Sequence, residues 1–342
     1  MLVPDIQSAG FTGGGTGFTD LEQVFIRLDN LQRFIGLGEN NYLMNFKVGK
    51  FEMELPFSIH RTPTINSPQL IYNYKAGVPF INDFFGFDSP GGVGYSNANN
   101  FAFADNQFAA ELGGIAPTSL TNGYFRYSLS ALTNQNNDGL GTTGGGHAMQ
   151  FYGHVTQSFG GYGIVAGHRI GLFGMHGKAP TVPNAATCGG VSCPGTGEAN
   201  ATFSRIGVDA STTWGGQVNV YGAWMFAKDT TPLFQTNAIP QEAHWNGGFI
   251  EADYNPTSLP KWLFIYRHDW ITNTQQGEGA VTAGNFNNTQ QHTAAVRYNF
   301  HISTRTDIAL HLEHNHLRDR LTAASGGDQK ANQTMVGFDF AF

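Results

Sequence analysis

The stretch NQTMVGFDFAF places Val336, Phe338, Phe340 and Phe342 on one parity and Gly337, Asp339 and Ala341 on the other. Successive side chains of a strand point to opposite faces, so this pattern predicts a strand with one apolar face. The same alternation recurs upstream. AAVRYNF sets Ala294, Val296, Tyr298 and Phe300 against Arg297 and Asn299, and WLFIYRHDW sets Trp262, Phe264 and Tyr266 against Arg267 and Asp269. QVNVYGAWMF sets Val218, Val220, Trp224 and Phe226 against Gln217, Asn219 and Tyr221. FSRIGVDAS opposes Ile206, Val208 and Ala210 to Arg205, Asp209 and Ser211, and MQFYGHVTQSF opposes Met149, Phe151, Val155 and Phe159 to Gln150, His154 and Thr156. YFRYSLSA opposes Phe125, Tyr127, Leu129 and Ala131 to Arg126, Ser128 and Ser130. So many strands with a polar face cannot all flank a dry core, because buried polar groups need partners. They fit a transmembrane, all-β, antiparallel up-and-down barrel with lipid outside and a polar lumen, of about 14 strands within a range of roughly 12 to 16.

The connections carry the same message. Gly160-Gly161, Trp214-Gly215-Gly216, NPTSLP and Ser303-Thr304 are short, whereas QNNDGLGTTGGG, MHGKAPTVPNAATCGGVSCPGTGEAN, AKDTTPLFQTNAIPQEA and NTQQGEGAVTAGNF are long and polar. Barrels of this membrane have short periplasmic turns and long outer loops, so both termini are expected on the periplasmic side. The whole of 1–342 reads as one barrel domain, with an outer loop at about 56–99 and a second, disulfide-closed one at about 176–200. Near the start, Val24, Ile26 and Leu28 alternate with Arg27 and Asp29, and Tyr42, Met44, Phe46 and Val48 with Asn45, Lys47 and Gly49. The apolar parity then switches to Phe51 and Met53, which makes Gly49 a bulge candidate. The Pro-, Asn- and Gly-rich stretch after Leu55 is long enough to be functional, folding inward to narrow the pore or capping it.

Composition narrows the class. Only 13% of the 342 residues are charged, while Gly supplies 45 positions and aromatics 13%. A disordered chain would be charged and poor in aromatics. No run of about 18 apolar residues suggests a transmembrane helix, and a net charge of −7 argues against nucleic acid as a partner. Cys188 and Cys193, in CGGVSC, are expected to close a loop by a disulfide in an oxidising compartment. Neither a Cys-x-x-Cys zinc half-site nor a Cys-x-x-Cys-His haem attachment is present, and GGGTG and TTGGG lack the strand-to-helix frame of a phosphate loop.

Three histidines within six residues, His311, His314 and His316, raise the question of a metal site. On a strand, Ile308, Leu310 and Leu312 face lipid, His311 and Glu313 face the lumen, and His314 and His316 take the opposite parity. The three do not converge, and no metal is expected. The lumen set is Arg27, Lys47, Arg126, Arg169, Arg205, Arg267 and Arg297 with Asp29, Asp209, Asp269, Glu313 and Asp339, joined by His154 and His311. Arg169 is given the lumen over its neighbour His168, since Arg facing lipid at mid-bilayer costs about 2–4 kcal/mol. That leaves His168 toward lipid or toward a second copy in a homo-oligomer. No catalytic set rises from the sequence, so an enzyme is not expected.

The terminal Phe342 on an alternating strand resembles the C-terminal signature of bacterial outer-membrane barrels. DLEQVFIRLDNL followed by NFKVGKFEMELPFSIHRTPT, within about residues 14 to 75, resembles the barrel region of porin-like outer-membrane proteins fused to or encoded with c-type cytochromes. The resemblance implies lipid bilayer and lipopolysaccharide as surroundings, a c-type cytochrome as partner, and haem c from another segment or that partner. His154 and His311 would then be the axial-ligand candidates. Met1-Leu-Val-Pro-Asp lacks the basic region and apolar core of a signal peptide, so a processed chain, or one numbered from inside a longer precursor, is expected. Two functions stay open: a sheath around an electron path, favoured by the resemblance, or a passive diffusion pore for ions or small solutes.

Overall fold

A computed structural model describes residues 24–36, 42–57, 65, 67, 69–74, 107–118, 122–134, 148–160, 167–180, 186–188, 191–193, 200–230, 242–275, 288–303, 306–320 and 328–341. The strands are β1 (Val24–Leu28), β2 (Asn45–Phe51), β3 (Gln107–Thr118), β4 (Gly123–Asn134), β5 (Ala148–Ser158), β6 (Arg169–Pro180), β7 (Ala186–Cys188), β8 (Val191–Cys193), β9 (Asn200–Trp214) and β10 (Val218–Asp229). They continue as β11 (Ala243–Tyr254), β12 (Trp262–Gln275), β13 (Asn288–Ser303), β14 (Thr306–Arg320) and β15 (Gln329–Ala341). Thirteen of them form one sheet in chain order, and β7 and β8 make a separate hairpin in the connection from β6 to β9. Each strand of the large sheet pairs antiparallel with the next, as in β10 with β9 and β11 or β13 with β14. The fold is the expected up-and-down transmembrane barrel.

Parity settles what faces where. Ile170, Leu172, Ile206, Val208, Ile250, Leu310, Leu312, Val336 and Phe338 are exposed on the outer face, although each is apolar. Such a surface would be unfavourable in water and is what a hydrocarbon environment requires. No helix among the described residues is long and apolar enough to cross a membrane, and the strands do the crossing.

The interior departs from a uniformly polar lumen. Phe51, Met53, Leu55 and Phe57 turn inward and bury, and they are joined by Leu70, Ile71, Tyr72 and Tyr74 from around a single helical turn, α1 (Leu70–Asn73). This inward segment packs on Phe173, Tyr221, Met225, Trp245 and Phe249 of the wall. Of the loop expected at about 56–99, the described residues 56, 57, 65, 67 and 69–74 lie inward; the rest of that stretch lies outside the described residues. The inward core also explains the switch in parity after Val48. Val48 is exposed, Phe51 is buried, and the register runs unbroken through Gly49, opposite Phe25 on one side and Ala109 on the other. There is no bulge. The apolar residues simply exchange lipid for an apolar interior, and Gly49, at φ +145°, lies so close to Val24 and Phe25 that a Cβ would clash with them.

One further expectation is adjusted and another falls outside the described residues. The second long loop is shorter than 176–200, because β6 runs through Pro180 and β9 begins at Asn200. The β7–β8 register sets Cys188 opposite Val191 and Cys193 opposite Ala186, and the cysteine side chains, hence the disulfide, lie outside the described residues. So do the chain ends, 1–23 and 342.

Leu310 sits between Ile308 and Leu312 on the outward face, where a charge meets hydrocarbon. Leu310→Arg should cost about 2–4 kcal/mol of folding stability in lipid vesicles. A denaturant titration showing no loss would place this face in water.

Candidate functional site in the barrel interior

The polar residues of the wall meet the inward segment in four linked groups. In the first, Arg126 pairs with Glu54 at 2.6 Å, and the Glu54 carbonyl accepts from the Tyr152 hydroxyl at 2.6 Å. His154 Nδ1 stands 3.1 Å from that same carbonyl, and its Nε2 lies 2.9 Å from Asp209. Arg169 donates to the other oxygen of Asp209 and lies 4.3 Å over the Phe57 ring, a cation–π contact that ties the segment to β6.

The second group is the driest. Arg267 donates to Asp269 at 2.6 Å and to the Ser67 carbonyl at 2.7 Å, with Glu251 at 3.7 Å. Asp269 accepts from the Leu70 amide at 3.1 Å. Glu313 accepts from the Ser67 amide and hydroxyl and from the Asn315 side chain, while His311 Nε2 lies 3.0 Å from it. Tyr221 donates to Glu251 and packs on Phe57 at 4.8 Å between ring centroids. Arg267, Asp269 and Glu313 have no solvent exposure, so their charges survive only because each is paired and hydrogen-bonded.

A third group pairs Arg205 with Asp229 at 2.8 Å, with the guanidinium 5.1 Å from the Trp245 ring that packs on Tyr74. In the fourth, Lys47 pairs with Glu111 at 3.1 Å and stands 3.8 Å from the Phe51 ring, and Ser128 and Ser130 donate to Glu111. Wetter surroundings mark two arginines on this side: the side chain of Arg27, paired with Asp29 at 2.7 Å, is 46% exposed and that of Arg126 29%, whereas Glu111, Ser128 and Ser130 are buried.

Most of the sequence-derived residues are joined through partners the alternation did not single out: Glu54, Glu111, Asp229, Glu251 and Ser67. Arg297 is half-buried on the inward parity of β13. Asp339 pairs by its backbone with Ala309, and its side chain lies outside the described residues. Inward Arg169 and outward His168, bonded to Thr212 at 2.7 Å, take the parities expected. The three clustered histidines diverge: His314 turns to Thr334 at 2.9 Å and His316 to Asn332 at 2.7 Å. No group of three His, Cys, Asp or Glu among the described residues could hold a metal ion. Haem does not fit the candidate ligands either. Both ring nitrogens of buried His154 face protein partners and Phe173 crowds its ring edge-on at 6.2 Å, while His311 is locked in the Glu313 network. An axial ligand needs a free nitrogen and room for a macrocycle.

No protein-family model matches the chain, and no curated protein does. Among solved structures it is similar to the outer-membrane expressed OmpT of Vibrio cholerae, with a TM-score of 0.50 and 11% identity over 94% of this chain and 81% of that one. A second structure of OmpT, an outer membrane protein of Vibrio cholerae folded in vitro, aligns at a TM-score of 0.49 and 10% identity over 88% and 77% of the two chains. At these identities the likeness of the first speaks for the barrel fold alone.

Arg267 is the test of the driest group. Arg267→Ala would strand the buried carboxylates of Asp269 and Glu251, and it should destabilise the barrel by about 3–5 kcal/mol in denaturant titrations. Arg267→Met combined with Asp269→Leu should recover part of that loss. Equal stability of Arg267→Ala and the parent would mean that the pair is not charged in the folded state.

Proposed function

We propose that the protein is an outer-membrane channel of porin type for ions or small solutes, constricted by its own inward residues 51–57, 65, 67 and 69–74. The observation that carries this reading is the double attachment of that segment. Its carbonyls and amides are held by Arg267, Asp269 and Glu313 on one wall and by Tyr152 and His154 on another. Side-chain exposure is graded around the barrel, from none at Arg267 to 46% at Arg27. Solutes would pass along the wetter side, β1 to β4, where Arg27, Lys47 and Arg126 set the local field. The long connections, 181–199 and 276–287 among them, would face outward and the short turns at 215–217 and 255–261 the periplasm.

A sheath around an electron path remains the second reading, and it rests on the resemblance at DLEQVFIRLDNL and VGKFEMELPFS rather than on the interior. Its partner would be a c-type cytochrome outside this chain. A Soret band that travels with the purified protein would favour it over the channel.

For the channel, the full chain in planar bilayers should show small single-channel steps. Joint replacement of Tyr72 and Tyr74 by Ala, which loosens the segment from Phe249 and Trp245, should raise conductance at least about twofold. Lys47→Glu with Arg126→Glu should shift permeability toward cations. Electrically silent bilayers containing folded parent protein would overturn the channel.

A further inference from the structure

Above the apolar band, the outward face of the last four strands changes character. Along β14 it passes from Leu310 and Leu312 to His314, His316, Arg318 and Arg320, and along β15 from Phe338 and Val336 to Thr334, Asn332 and Lys330. The registers align these positions across the sheet: His268, His292, His316 and Asn332 form one row, and Trp270, Gln290, Arg318 and Lys330 the next. The row is preorganised. The His268 and His292 rings stack at 4.5 Å, the Tyr266 hydroxyl bonds His292 Nδ1 at 2.8 Å, and His268 stacks on Trp270 at 5.6 Å.

We propose that this face, on the side of the long connections, binds the phosphorylated headgroup of a glycolipid in the outer leaflet. Charge complementarity supports it: a chain of net charge −7 gathers Arg318, Arg320 and Lys330 here. Among the described residues the acid that meets them is Asp328, which Arg318 engages and holds below the usual carboxylate range; Asp319, Glu313 and Asp269 are buried inside the barrel. Guanidinium forks and imidazole donors match phosphate oxygens. The buried Nδ1 of His268 has no hydrogen-bond partner in the protein. Lipid is the source, rather than a soluble anion, because beyond one intervening row of Tyr266, Ala294, His314 and Thr334 the outward face turns to Phe264, Val296, Leu312 and Val336, where acyl chains would lie. This inference rests on the outer-membrane orientation proposed above and not on conduction.

Native mass spectrometry of the full chain in detergent tests it, with bis-phosphorylated lipid A, its dephosphorylated form and phosphatidylglycerol as probes. The bis-phosphorylated lipid should bind most tightly, and the combined variant R318Q/R320Q/K330Q should bind it about tenfold more weakly. K261Q, at the opposite end of the barrel, should bind as the parent does. Equal binding by the triple variant, by the dephosphorylated lipid or by phosphatidylglycerol would overturn the proposal, as would a lipid-free dimer that the triple variant abolishes. Conductance of the same samples reads the channel separately, so loss of lipid binding with channels intact refutes this site alone.

Discussion

Everything inside the barrel follows from the cost of a buried charge. A carboxylate withdrawn from water is stable only with a cation or several donors at hand, and the inner wall supplies a set of them. Asp209 has His154 and Arg169, Asp269 has Arg267 and a backbone amide, and Glu313 has Ser67 twice and Asn315. The inward segment is therefore part of the electrostatics as well as of the packing. Without the Ser67 amide and hydroxyl or the Leu70 amide, Glu313 and Asp269 would each lose donors that no solvent replaces.

The apolar half of the segment answers a different need. A barrel of this width lined only by short polar side chains would hold water, and the wall at β6, β10 and β11 is instead lined by Phe173, Tyr221, Met225, Trp245 and Phe249. These rings need apolar partners on their inner side, which Phe57, Tyr72 and Tyr74 provide at centroid separations of 4.8 to 6.3 Å. Cations edge the same rings, Arg169 at Phe57 and Arg205 at Trp245, so the polar and apolar contacts reinforce one another along one seam.

Alternation made the outer face legible, because lipid accepts only apolar side chains and enforces the period of two on every strand. It read the inner face well where that face is polar: Arg126, His154, Arg205, Arg267 and Glu313 all sit where parity put them. It failed where the inner face is apolar. In β11, Trp245, Gly247 and Phe249 point inward on the same parity as Glu251 and Asp253, while His244 and Asn246 share the other parity with Ile250 and Ala252, so both parities are mixed and the strand has no amphipathic signature. Phe51 and Met53 misled in the same way, since an apolar parity shift looks the same whether it comes from a bulge or from an interior that has turned apolar. The partners of the charged residues were hidden for another reason. Ser67 meets Glu313 across 246 residues of sequence and Leu70 meets Asp269 across 199, and no local pattern encodes such pairing.

The asymmetry of the interior bears most directly on function. Arg267, Asp269 and Glu313 are bonded to the inward segment and cannot reorient toward a passing ion without breaking the network that keeps them charged. Arg27 and Arg126 carry comparable charges but keep side-chain exposures of 46% and 29%, and their fields are felt in water. The same residue type is thus fully enclosed on one side of the barrel and partly solvated on the other: Arg267 is sealed against Ser67 and Asp269, Arg126 meets the inward segment at Glu54 yet keeps part of its side chain in water, and Arg27 pairs with Asp29 apart from it. In the channel proposed above, selectivity and constriction would then have one origin: the segment that occupies one side of the lumen would also determine which wall charges a solute can meet.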